Sequence, residues 1–466
     1  MLDPITDPSV LVGYLTDASN VQGYCDALCR PRTHEQAAEV VRHCQKNNIP
    51  LTITAGRTST TAGPVPFGGW LLSTEHLNTI HYIREDEAKA DAGIYLGAFQ
   101  SAIEAQGRFY PPDPTSRHEC TLGASVACNA SGARSFRYGP TRPWIKALTV
   151  LLPTGAILSI TEDDLIPEDW PAIHWTEPVV KTAAGYSPSN RLLDLFIGQE
   201  GTLGFILDVT VRLTTLPKDV MGVLALFESR GDALNFVDCA RKAARANPEG
   251  LFATRCIEYL DTRCLDMARE RVEGIPATAT AALFCEQEVL SDDVEPYMMA
   301  WWEPLEQFST LADDTLIACD PPTRQQLHAL RHAIPAGINE EIIRNGMPKL
   351  GTDLAVPDEA LETMMDAYEQ CPLPHILFGH IGDNHLHLNI LPSSADELIL
   401  AKAFYADLAK QAVSLGGTVS AEHGIGKIKK EALLHMIGES TLSSFRDLKH
   451  HLDPNGILGR GTLFDL

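Results

Sequence analysis

Three histidines lie close together in the segment 378–392, FGHIGDNHLHLNILP, around one glycine-containing turn. If HLHLN is an extended strand, its alternation places His385, His387 and Asn389 on one face. His380 precedes the turn and can fold back towards His387. The segment therefore predicts a polar face on a half-buried strand.

A carboxylate and a further imidazole stand in the later segment AEHG (421–424), at Glu422 and His423. Imidazole nitrogen and carboxylate oxygen are ligands that suit zinc, and three protein ligands with an open position are typical of a catalytic zinc site. The residues alone leave two interpretations open. One is a metal centre, and the other is a hydrogen-bonded histidine cluster without metal.

Three loops of small residues form the second chemical feature. AGRTSTTAG (55–63) leaves backbone N–H groups open and adds hydroxyl donors, as a pyrophosphate site requires. The prolines of YPPDPT (110–115) predict an extended backbone before the small-residue run TLGASVACNASG (121–132). GQEGTLGFI (198–206) is a further run with small residues. The chain has no Walker loop, and no GxGxxG follows a first strand. The three loops together predict one extended ligand lying across several backbone segments.

Local patterns predict the elements that hold the first loops. Thr33 and Gln36 resemble a capping box, and the apolar spacing predicts a helix over 34–47 that ends at Pro50. A short strand over 51–55 follows. Further strands are predicted on either side of a turn at Pro153 to Gly155, and over 204–214, where the two faces alternate.

The pattern changes beyond Pro217, where longer helical stretches alternate with strand-like runs such as ATAALFC. The predicted helices are 231–246, 323–344, 358–370 and 395–415, and a last helix ends before LDPNGILGRG. This change in the pattern of predicted elements predicts a domain boundary near 217.

Length and composition limit the classes of protein. A chain of 466 residues is too long to fold around one hydrophobic core, so two or three domains are expected. The net charge of −24 repels phosphate backbones and anionic lipid, which argues against nucleic-acid and membrane-surface partners. No apolar run approaches the ~20 residues that span a bilayer. Eleven cysteines without a CxxC pair are typical of a reducing compartment, which predicts a cytoplasmic protein.

The order of the motifs resembles the flavin domain of the FAD-linked oxidase family named after vanillyl-alcohol oxidase and para-cresol methylhydroxylase. Within it, the sequence is most similar to the branch of D-lactate, D-2-hydroxyglutarate and glycolate dehydrogenases. The resemblance implies an α+β fold with a two-subdomain, non-Rossmann FAD-binding domain over 1–217. It also implies an α+β substrate or cap domain with an antiparallel sheet over 218–419, and a C-terminal helical segment over 420–466 that completes the active site.

The resemblance implies that FAD is bound by the small-residue loops. The residues implied for the pyrophosphate are Gly56, Arg57, Thr58, Ser59 and Thr61. Those implied for the isoalloxazine and ribityl region are Pro112, Asp113, Thr121, Gly123, Ala124, Asn129, Ser131 and Gly132, with Glu200, Gly201, Gly204 and Ile206 closing it. Two positions near the expected cofactor depart from the family: Arg57 stands where relatives usually have glycine or asparagine, and Gly459 replaces an asparagine.

Members of this branch share a GHxGDGNxH motif and a later EHG, which implies a divalent metal held by His380, His387 and Glu422. Zn²⁺ is the expected ion, with Mn²⁺ or Fe²⁺ as alternatives. A metal on the substrate hydroxyl lowers its pKa, His423 then accepts the proton as general base, and the flavin accepts the hydride at N5. The sequence GDNH puts His385 where relatives have asparagine, either as a fourth ligand or as a substrate contact.

The substrate carboxylate needs a local cation in so acidic a protein. Arg331 matches the arginine of the family's LR motif and is the expected catalytic-site cation, with Asn389 as a neutral partner. Hydroxyglutarate-specific relatives hold the distal carboxylate with a threonine and a lysine, where this chain has Pro335 and Gly351, with Lys349 two residues away. A D-lactate-like acid is therefore favoured over D-2-hydroxyglutarate, and D-2-hydroxyglutarate and glycolate are kept as alternatives.

Other functions stay open. The first is an oxygen-using oxidase of the same family, and the second is a flavin-binding electron-transfer subunit of a larger complex. A flavin-free metallohydrolase would leave the three loops without a role. The expected partners are a small 2-hydroxy acid, an electron acceptor that is a flavoprotein, cytochrome or quinone, and a second copy of the chain in a homodimer.

Overall fold

The computed structural model describes residues 3–271 and 273–466, and the side chains of residues 328, 331 and 332 lie outside that description. The chain divides into two compact units. The first unit comprises Met1–Gly132, Gly139–Leu216 and Val419–Leu466, and the second comprises Ala133–Tyr138 and Pro217–Thr418. The C-terminal residues therefore group with the first unit.

The first unit contains two principal sheets. A five-stranded antiparallel sheet has the strand order Ile80–Ile83, Glu87–Asp91, Phe205–Arg212, Ile145–Leu151 and Ile157–Thr161. A three-stranded parallel sheet has Trp70–Ser73 between Ala27–Cys29 and Leu51–Thr54. A short antiparallel pair joins Arg108–Phe109 to Thr214–Thr215. The predicted hairpin is confirmed, because Leu151 pairs with Ile157 and Gly155 has a φ of 85°.

The helices of the first unit flank these sheets. The α-helices are Pro8–Leu11, His34–Asn47, Leu96–Glu104, Leu122–Ala127, Leu192–Phe196 and Lys430–Leu452, the last interrupted at Gly438, and the 3-10 helices are Val12–Tyr14 and Arg142–Trp144. Helix His34–Asn47 packs its apolar face on the parallel sheet, in a core that includes Leu51, Leu72 and Ile457.

The helix predicted over 34–47 is confirmed, but its ends differ in detail from the prediction. The Thr33 side chain accepts the backbone N–H of Gln36, whereas the Gln36 side chain accepts from Arg32 and not from Thr33. Only half of a capping box therefore forms. The helix stops at Asn48, which has a left-handed φ of 53°, two residues before Pro50.

Strand Phe205–Arg212 lies in the centre of the five-stranded sheet, and the predicted alternation of its faces is wrong. All its residues except Arg212 are buried. Asp208 is satisfied there by Thr149 Oγ1 and by Lys89 Nζ, each at 3.0 Å. Both faces of the strand are covered, so its polar residues are enclosed and paired instead of facing water.

The second unit is built on one antiparallel sheet. Its strand order is Leu316–Ala318, Asp219–Phe227, Ala281–Val289, Thr254–Leu260, His375–His380, His385–Ile390 and Leu350–Gly351, and Leu354–Ala355 also pairs with His385–Ile390. The α-helices are Ser135–Tyr138, Arg230–Ala246, Thr262–Arg269, Glu295–Phe308, Pro321–Asn345, Leu361–Glu369 and Ala395–Ser414, and the 3-10 helices are Ala312–Asp314, Asp358–Ala360 and Ile381–Asp383. The four long helices predicted beyond 217 are thereby confirmed.

The core of the second unit lies between one face of the sheet and two helices. Phe284 and Ile376 on the strands pack in one cluster with Leu265 of helix Thr262–Arg269 and with Leu330 and Ile334 of helix Pro321–Asn345. The antiparallel sheet with flanking helices confirms the α+β fold expected from the sequence. No helix in the described part of the chain has the length and apolar character needed to cross a membrane.

Candidate active site

A cavity of about 490 Å³ lies within the first unit, where the three small-residue loops meet. Its walls come from 52–64, 114–131 and 199–206 and from Thr74 and Ala92, with Glu422, His423 and Gly459 from the C-terminal residues. A second cavity of about 410 Å³ shares Gly56 and Arg57 with the first. Cavities of this size are typical of cofactor and substrate sites.

Most of the residues expected to bind the cofactor line these cavities. Those on the larger cavity are Gly56, Arg57, Thr58, Ser59, Gly123, Ala124, Ser131, Glu200, Gly201, Gly204 and Ile206. Thr121 lines the smaller one. The remaining expected residues, which line neither cavity, are Thr61, Pro112, Asp113, Asn129 and Gly132.

The residues outside the cavity walls make contacts that hold the loops. The Pro112 carbonyl accepts Gln100 Nε2 at 2.7 Å, and the Asn129 side chain accepts the backbone N–H of Arg142 at 3.0 Å. The Thr61 carbonyl accepts the backbone N–H of Lys427 at 2.8 Å. These contacts hold the loops that carry the cavity walls.

Arg57, which departs from the residues usual in the family, is accommodated by its neighbours. Its φ of 57° lies in the left-handed region, where glycine and asparagine are more usual. Its guanidinium carbon lies 4.7 Å from the centre of the Tyr14 ring, and Nη1 donates to the Ala55 carbonyl at 3.1 Å. The side chain is therefore held by Tyr14, while the residue still lines both cavities.

Close approach of backbone segments explains two of the glycines. A Cβ on Gly56 would lie 2.1 Å from the Glu119 carbonyl oxygen, and one on Gly123 would lie 2.4 Å from the Ala92 Cβ. Neither distance is possible for a real side chain. Glycine is thus required because the loops are pressed against neighbouring segments of the first unit.

Glu200 connects the third loop to the C-terminal AEHG segment. Its carboxylate is enclosed and accepts the backbone N–H groups of Ile425 and Gly426, both at 2.7 Å. Burial raises the pKa of Glu200 to about 7, while the two N–H groups and the nearby Lys429 and Lys427 oppose that rise.

Lys427 makes a second connection, to the first loop. Its Nζ donates to the carbonyls of Ala62 at 3.3 Å and Gly63 at 2.7 Å, and to Thr462 Oγ1 at 3.0 Å. Burial lowers the pKa of Lys427 to about 8. Glu200 and Lys427 thereby hold the AEHG segment at the wall of the cavity.

Glu422 and His423 are adjacent polar groups of the first unit at this cavity. Glu422 Oε2 lies 2.8 Å from Lys181 Nζ and accepts Ser131 Oγ at 3.4 Å. His423 Nε2 lies 3.6 Å from Glu422 Oε1, and its side chain is 33% exposed. An imidazole that is both accessible and next to a carboxylate is suited to accept a proton. Lys181 was not predicted, since it lies in an irregular segment without a motif.

His380, His385 and His387 come together within the second unit. Strand pairing sets His380 opposite His385 and Phe378 opposite His387, so the side chains share one face of the sheet. The ring centres of His385 and His387 are 4.4 Å apart, and both lie within 5.6 Å of the His380 ring. Each ring offers a nitrogen within 4.8 Å of the others. The predicted polar face of this strand is therefore formed, although the strand is more buried than expected.

Each of these histidines has an oxygen partner in the second unit. His387 Nδ1 lies 2.9 Å from the Thr352 carbonyl, His385 Nε2 lies 3.0 Å from Asp353 Oδ1, and His380 Nδ1 lies 3.3 Å from Glu258 Oε1. Metal-binding histidines in proteins usually have such a partner on the second ring nitrogen, which fixes the ring and its tautomer. The donor set thus fits a divalent metal. None of the three partners was predicted, because strand pairing brings them from distant parts of the chain.

Asn389 follows on the same face and has a cationic partner. Lys349 Nζ lies 2.6 Å from Asn389 Oδ1, and Asn389 is 1% exposed. Lys349 is exposed as a whole residue, but the enclosure of its ammonium group lowers its pKa. Gly351 pairs with Asn389 in the sheet. Lys349 and Asn389 together form a small cationic site.

Arg331, the cation expected from the sequence, lies in helix Pro321–Asn345 together with Pro335. The side chain of Arg331 is outside the described part of the structure. Helix Pro321–Asn345 packs on the sheet of the second unit through Leu327, Leu330, Ile334 and Ile338.

Comparison with known families decides the class of protein. Residues 25–161 match the model of the FAD binding domain, and residues 216–463 match the model of the C-terminal domain of FAD linked oxidases. The chain belongs to the FAD-linked oxidase family. This confirms the resemblance seen in the motifs and makes the protein an oxidoreductase with an FAD-binding domain.

Individual relatives of this FAD-linked oxidase cover nearly its whole length. It is 27% identical to the glycolate oxidase subunit GlcD of Bacillus subtilis, over 97% of this chain and 92% of that protein. It is 29% identical to a D-lactate dehydrogenase of Anaerostipes hadrus, over 94% of this chain and 89% of that protein. It is 30% identical to a D-2-hydroxyglutarate dehydrogenase of Xanthomonas citri pv. viticola, with the same coverage of 94% and 89%.

Solved structures support the fold. A structure of alkyldihydroxyacetonephosphate synthase matches with a TM-score of 0.71 at 16% identity, over 98% of this chain and 81% of that one. At this level of identity the match concerns the fold alone. It agrees with the mixed α+β architecture of the FAD-linked oxidase.

Proposed function

We propose that this FAD-linked oxidase is a dehydrogenase that depends on FAD and a divalent metal and oxidises a D-2-hydroxy acid to the 2-oxo acid. The observation that carries the proposal is the cluster of His380, His385 and His387, each with an oxygen partner. The named activities of the relatives, on glycolate, D-lactate and D-2-hydroxyglutarate, support the substrate class.

The three predicted regions have separate roles in this proposal. Residues 1–217 form the FAD-binding domain, residues 218–419 carry the histidines and the carboxylate-binding groups, and residues 420–466 supply Glu422 and His423. The small-residue loops, including Thr61, Pro112, Asp113, Asn129 and Gly132, hold or support FAD, which accepts a hydride at N5 when bound. His423 accepts the hydroxyl proton of the substrate, since its ring is accessible and adjacent to a carboxylate.

His380, His387 and Glu422 are the proposed metal ligands, and Zn²⁺ is the expected ion, with Mn²⁺ or Fe²⁺ as alternatives. A divalent metal lowers the pKa of a bound hydroxyl group by Lewis-acid action. The Thr352 carbonyl contacts one nitrogen of the His387 ring and Glu258 lies beside one nitrogen of the His380 ring, so the second nitrogen of each ring would be available to hold a metal.

Lys349, Asn389 and Arg331 are proposed to bind the substrate carboxylate. The formal charge of −24 makes a local cation necessary for an anionic substrate, and the ammonium of Lys349 beside Asn389 is such a cation. Because Pro335 and Gly351 replace the threonine and lysine of hydroxyglutarate-specific relatives, a D-lactate-like acid is favoured.

The electron acceptor and the assembly of the enzyme are the next part of the proposal. The Bacillus subtilis relative is named as a glycolate oxidase subunit, which supports membership of a larger complex. A flavin-binding electron-transfer subunit of such a complex is therefore kept as the alternative function. In the main proposal FAD would supply the redox chemistry, the electron acceptor would be a flavoprotein, cytochrome or quinone, and the enzyme would be a homodimer.

Metal removal tests the proposal. The purified enzyme is assayed with D-lactate and an artificial electron-accepting dye, before and after treatment with a chelator and after addition of Zn²⁺, Mn²⁺ or Fe²⁺. We expect turnover to be lost on chelation and restored by one of the ions, with the flavin retained throughout. Full turnover by enzyme that elemental analysis shows to be metal-free would contradict the metal dependence.

A further inference from the structure

We propose that His385 is itself a metal ligand and that Asp353 is the residue that positions it. The inference rests on the metal dependence proposed above. It adds a third imidazole to the centre, so that the second unit alone supplies three nitrogen donors.

The position of His385 in the sheet is the first argument. It is the strand partner of His380 and lies two residues from His387, so all three side chains extend from the same face. Its ring centre is 4.4 Å from that of His387 and 5.5 Å from that of His380. One nitrogen of each ring lies within 4.8 Å of the others. A single ion can therefore be reached by all three rings.

The contact with Asp353 is the second argument. Oδ1 of Asp353 lies 3.0 Å from Nε2 of His385, and both side chains are fully enclosed. A carboxylate beside Nε2 favours the tautomer with its proton on Nε2, which leaves the lone pair on Nδ1 for a metal. The pair thus has the carboxylate–histidine arrangement that is typical of metal ligands.

The segment that carries Asp353 orients two of the rings. Thr352 presents its carbonyl to His387, and the next residue presents its carboxylate to His385. Thr352 is hydrogen-bonded to strand His385–Ile390. Its N–H donates to the Leu388 carbonyl at 3.0 Å, and its Oγ1 accepts the Leu388 N–H at 2.9 Å. Thr352 is hydrogen-bonded to the strand that carries both histidines, and it orients His387 while the next residue, Asp353, orients His385.

Charge balance is the third argument. Glu258 and Asp353 place two carboxylates beside the three rings, and their side chains are 16% and 0% exposed. A divalent cation held by the three rings would lie next to these two carboxylates, and the attraction between opposite charges would favour its binding. A third imidazole also raises the nitrogen content of the site, which suits Zn²⁺ among the candidate ions.

Zinc K-edge X-ray absorption of the holoenzyme counts the imidazoles directly. We expect the wild-type spectrum to fit three histidine ligands and the His385→Asn spectrum to fit two. His375→Asn is the matched control, because His375 lies on the neighbouring strand and contacts the Leu373 carbonyl instead. The control should keep three. A wild-type spectrum with only two imidazoles would overturn the assignment of His385, and this measurement needs no variant.

Competition with a chromophoric chelator measures how much His385 contributes to the zinc affinity. We expect His385→Asn and Asp353→Asn each to weaken zinc binding by about 10- to 100-fold, as partners of ligands generally do, with the flavin absorbance unchanged. Equal affinity in wild type and His385→Asn would contradict the inference while leaving the proposed function intact. Wild-type enzyme that binds no zinc at all would contradict both.

Discussion

Glu200 accepts the backbone N–H of Ile425 at 2.7 Å, at the wall of the larger cavity of the first unit. The same carboxylate accepts the N–H of Gly426, and burial raises its pKa to about 7. In the unfolded chain the pKa of a glutamate is about 4.3. The folded protein therefore binds one more proton than the unfolded chain between these two pH values.

This difference predicts the pH dependence of stability. The contribution of Glu200 to the free energy of unfolding is most favourable below about pH 4.3, falls as the pH rises to about 7 and is constant above, a loss on the order of 4 kcal/mol. Glu200→Gln removes the titration. The free energy of unfolding of the variant minus that of wild type should therefore increase between pH 5 and pH 7, whatever the difference is at pH 5. Thermal unfolding of both holoenzymes at these pH values measures it, and parallel curves would contradict the raised pKa.

Removal of His387 should separate the metal from the flavin. His387→Ala deletes a proposed ligand of the second unit, whereas the cavity expected to hold FAD lies in the first unit. We expect loss of bound metal and of most turnover, with the yellow colour retained. His375→Ala is the control and should keep both. Metal analysis and visible absorbance decide, and a metal-replete, fully active His387→Ala enzyme would contradict the site.

Removal of the Lys349 ammonium should weaken substrate binding. A hydrogen bond to a charged group contributes about 1.5–3 kcal/mol, so Lys349→Met should raise the KM for the hydroxy acid by about 10- to 100-fold. The effect on kcat should be smaller, since the ammonium is proposed to bind the carboxylate and not the reacting carbon. Lys402→Met, on an exposed helix position, serves as control. An unchanged KM in Lys349→Met would exclude Lys349 from the site.

Two glycines of the same cavity should respond differently to alanine. A Cβ on Gly56 would lie 2.1 Å from the Glu119 carbonyl, whereas one on Gly63 would meet atoms only at 3.9 Å. Gly56→Ala must displace the loop and is expected to purify with substoichiometric FAD, and Gly63→Ala with a full complement. The ratio of flavin to protein absorbance reports this. Equal flavin content in the two variants would show that the loop does not hold the cofactor.

Local sequence patterns predicted the elements well where the determinants are local. The helix over 34–47 has its N-cap at Thr33, and the hairpin turn has Gly155 where a positive φ is needed. The alternation predicted for 204–214 failed, because burial of both faces depends on neighbours that the segment does not encode. Asp208 is tolerated inside only through Lys89 and Thr149.

The candidate site was predictable to the extent that its residues are neighbours in sequence. His380, His385 and His387 could be found from the alternation of one segment. Their partners Glu258 and Asp353 could not, because each lies on or beside a different strand and has no motif of its own. Sheet topology, which the local pattern does not reveal, supplies these carboxylates.

The central claim is tested most directly by an anaerobic absorbance spectrum of the purified, zinc-supplemented enzyme. D-lactate, D-2-hydroxyglutarate and glycolate are added separately, with L-lactate and L-2-hydroxyglutarate as controls. We predict that the flavin band is bleached by a D-acid, with D-lactate the most effective, and by neither L-isomer. A flavin band that none of these acids bleaches would contradict the proposed dehydrogenase activity, and protein that shows no flavin band after reconstitution with FAD would contradict the cofactor as well.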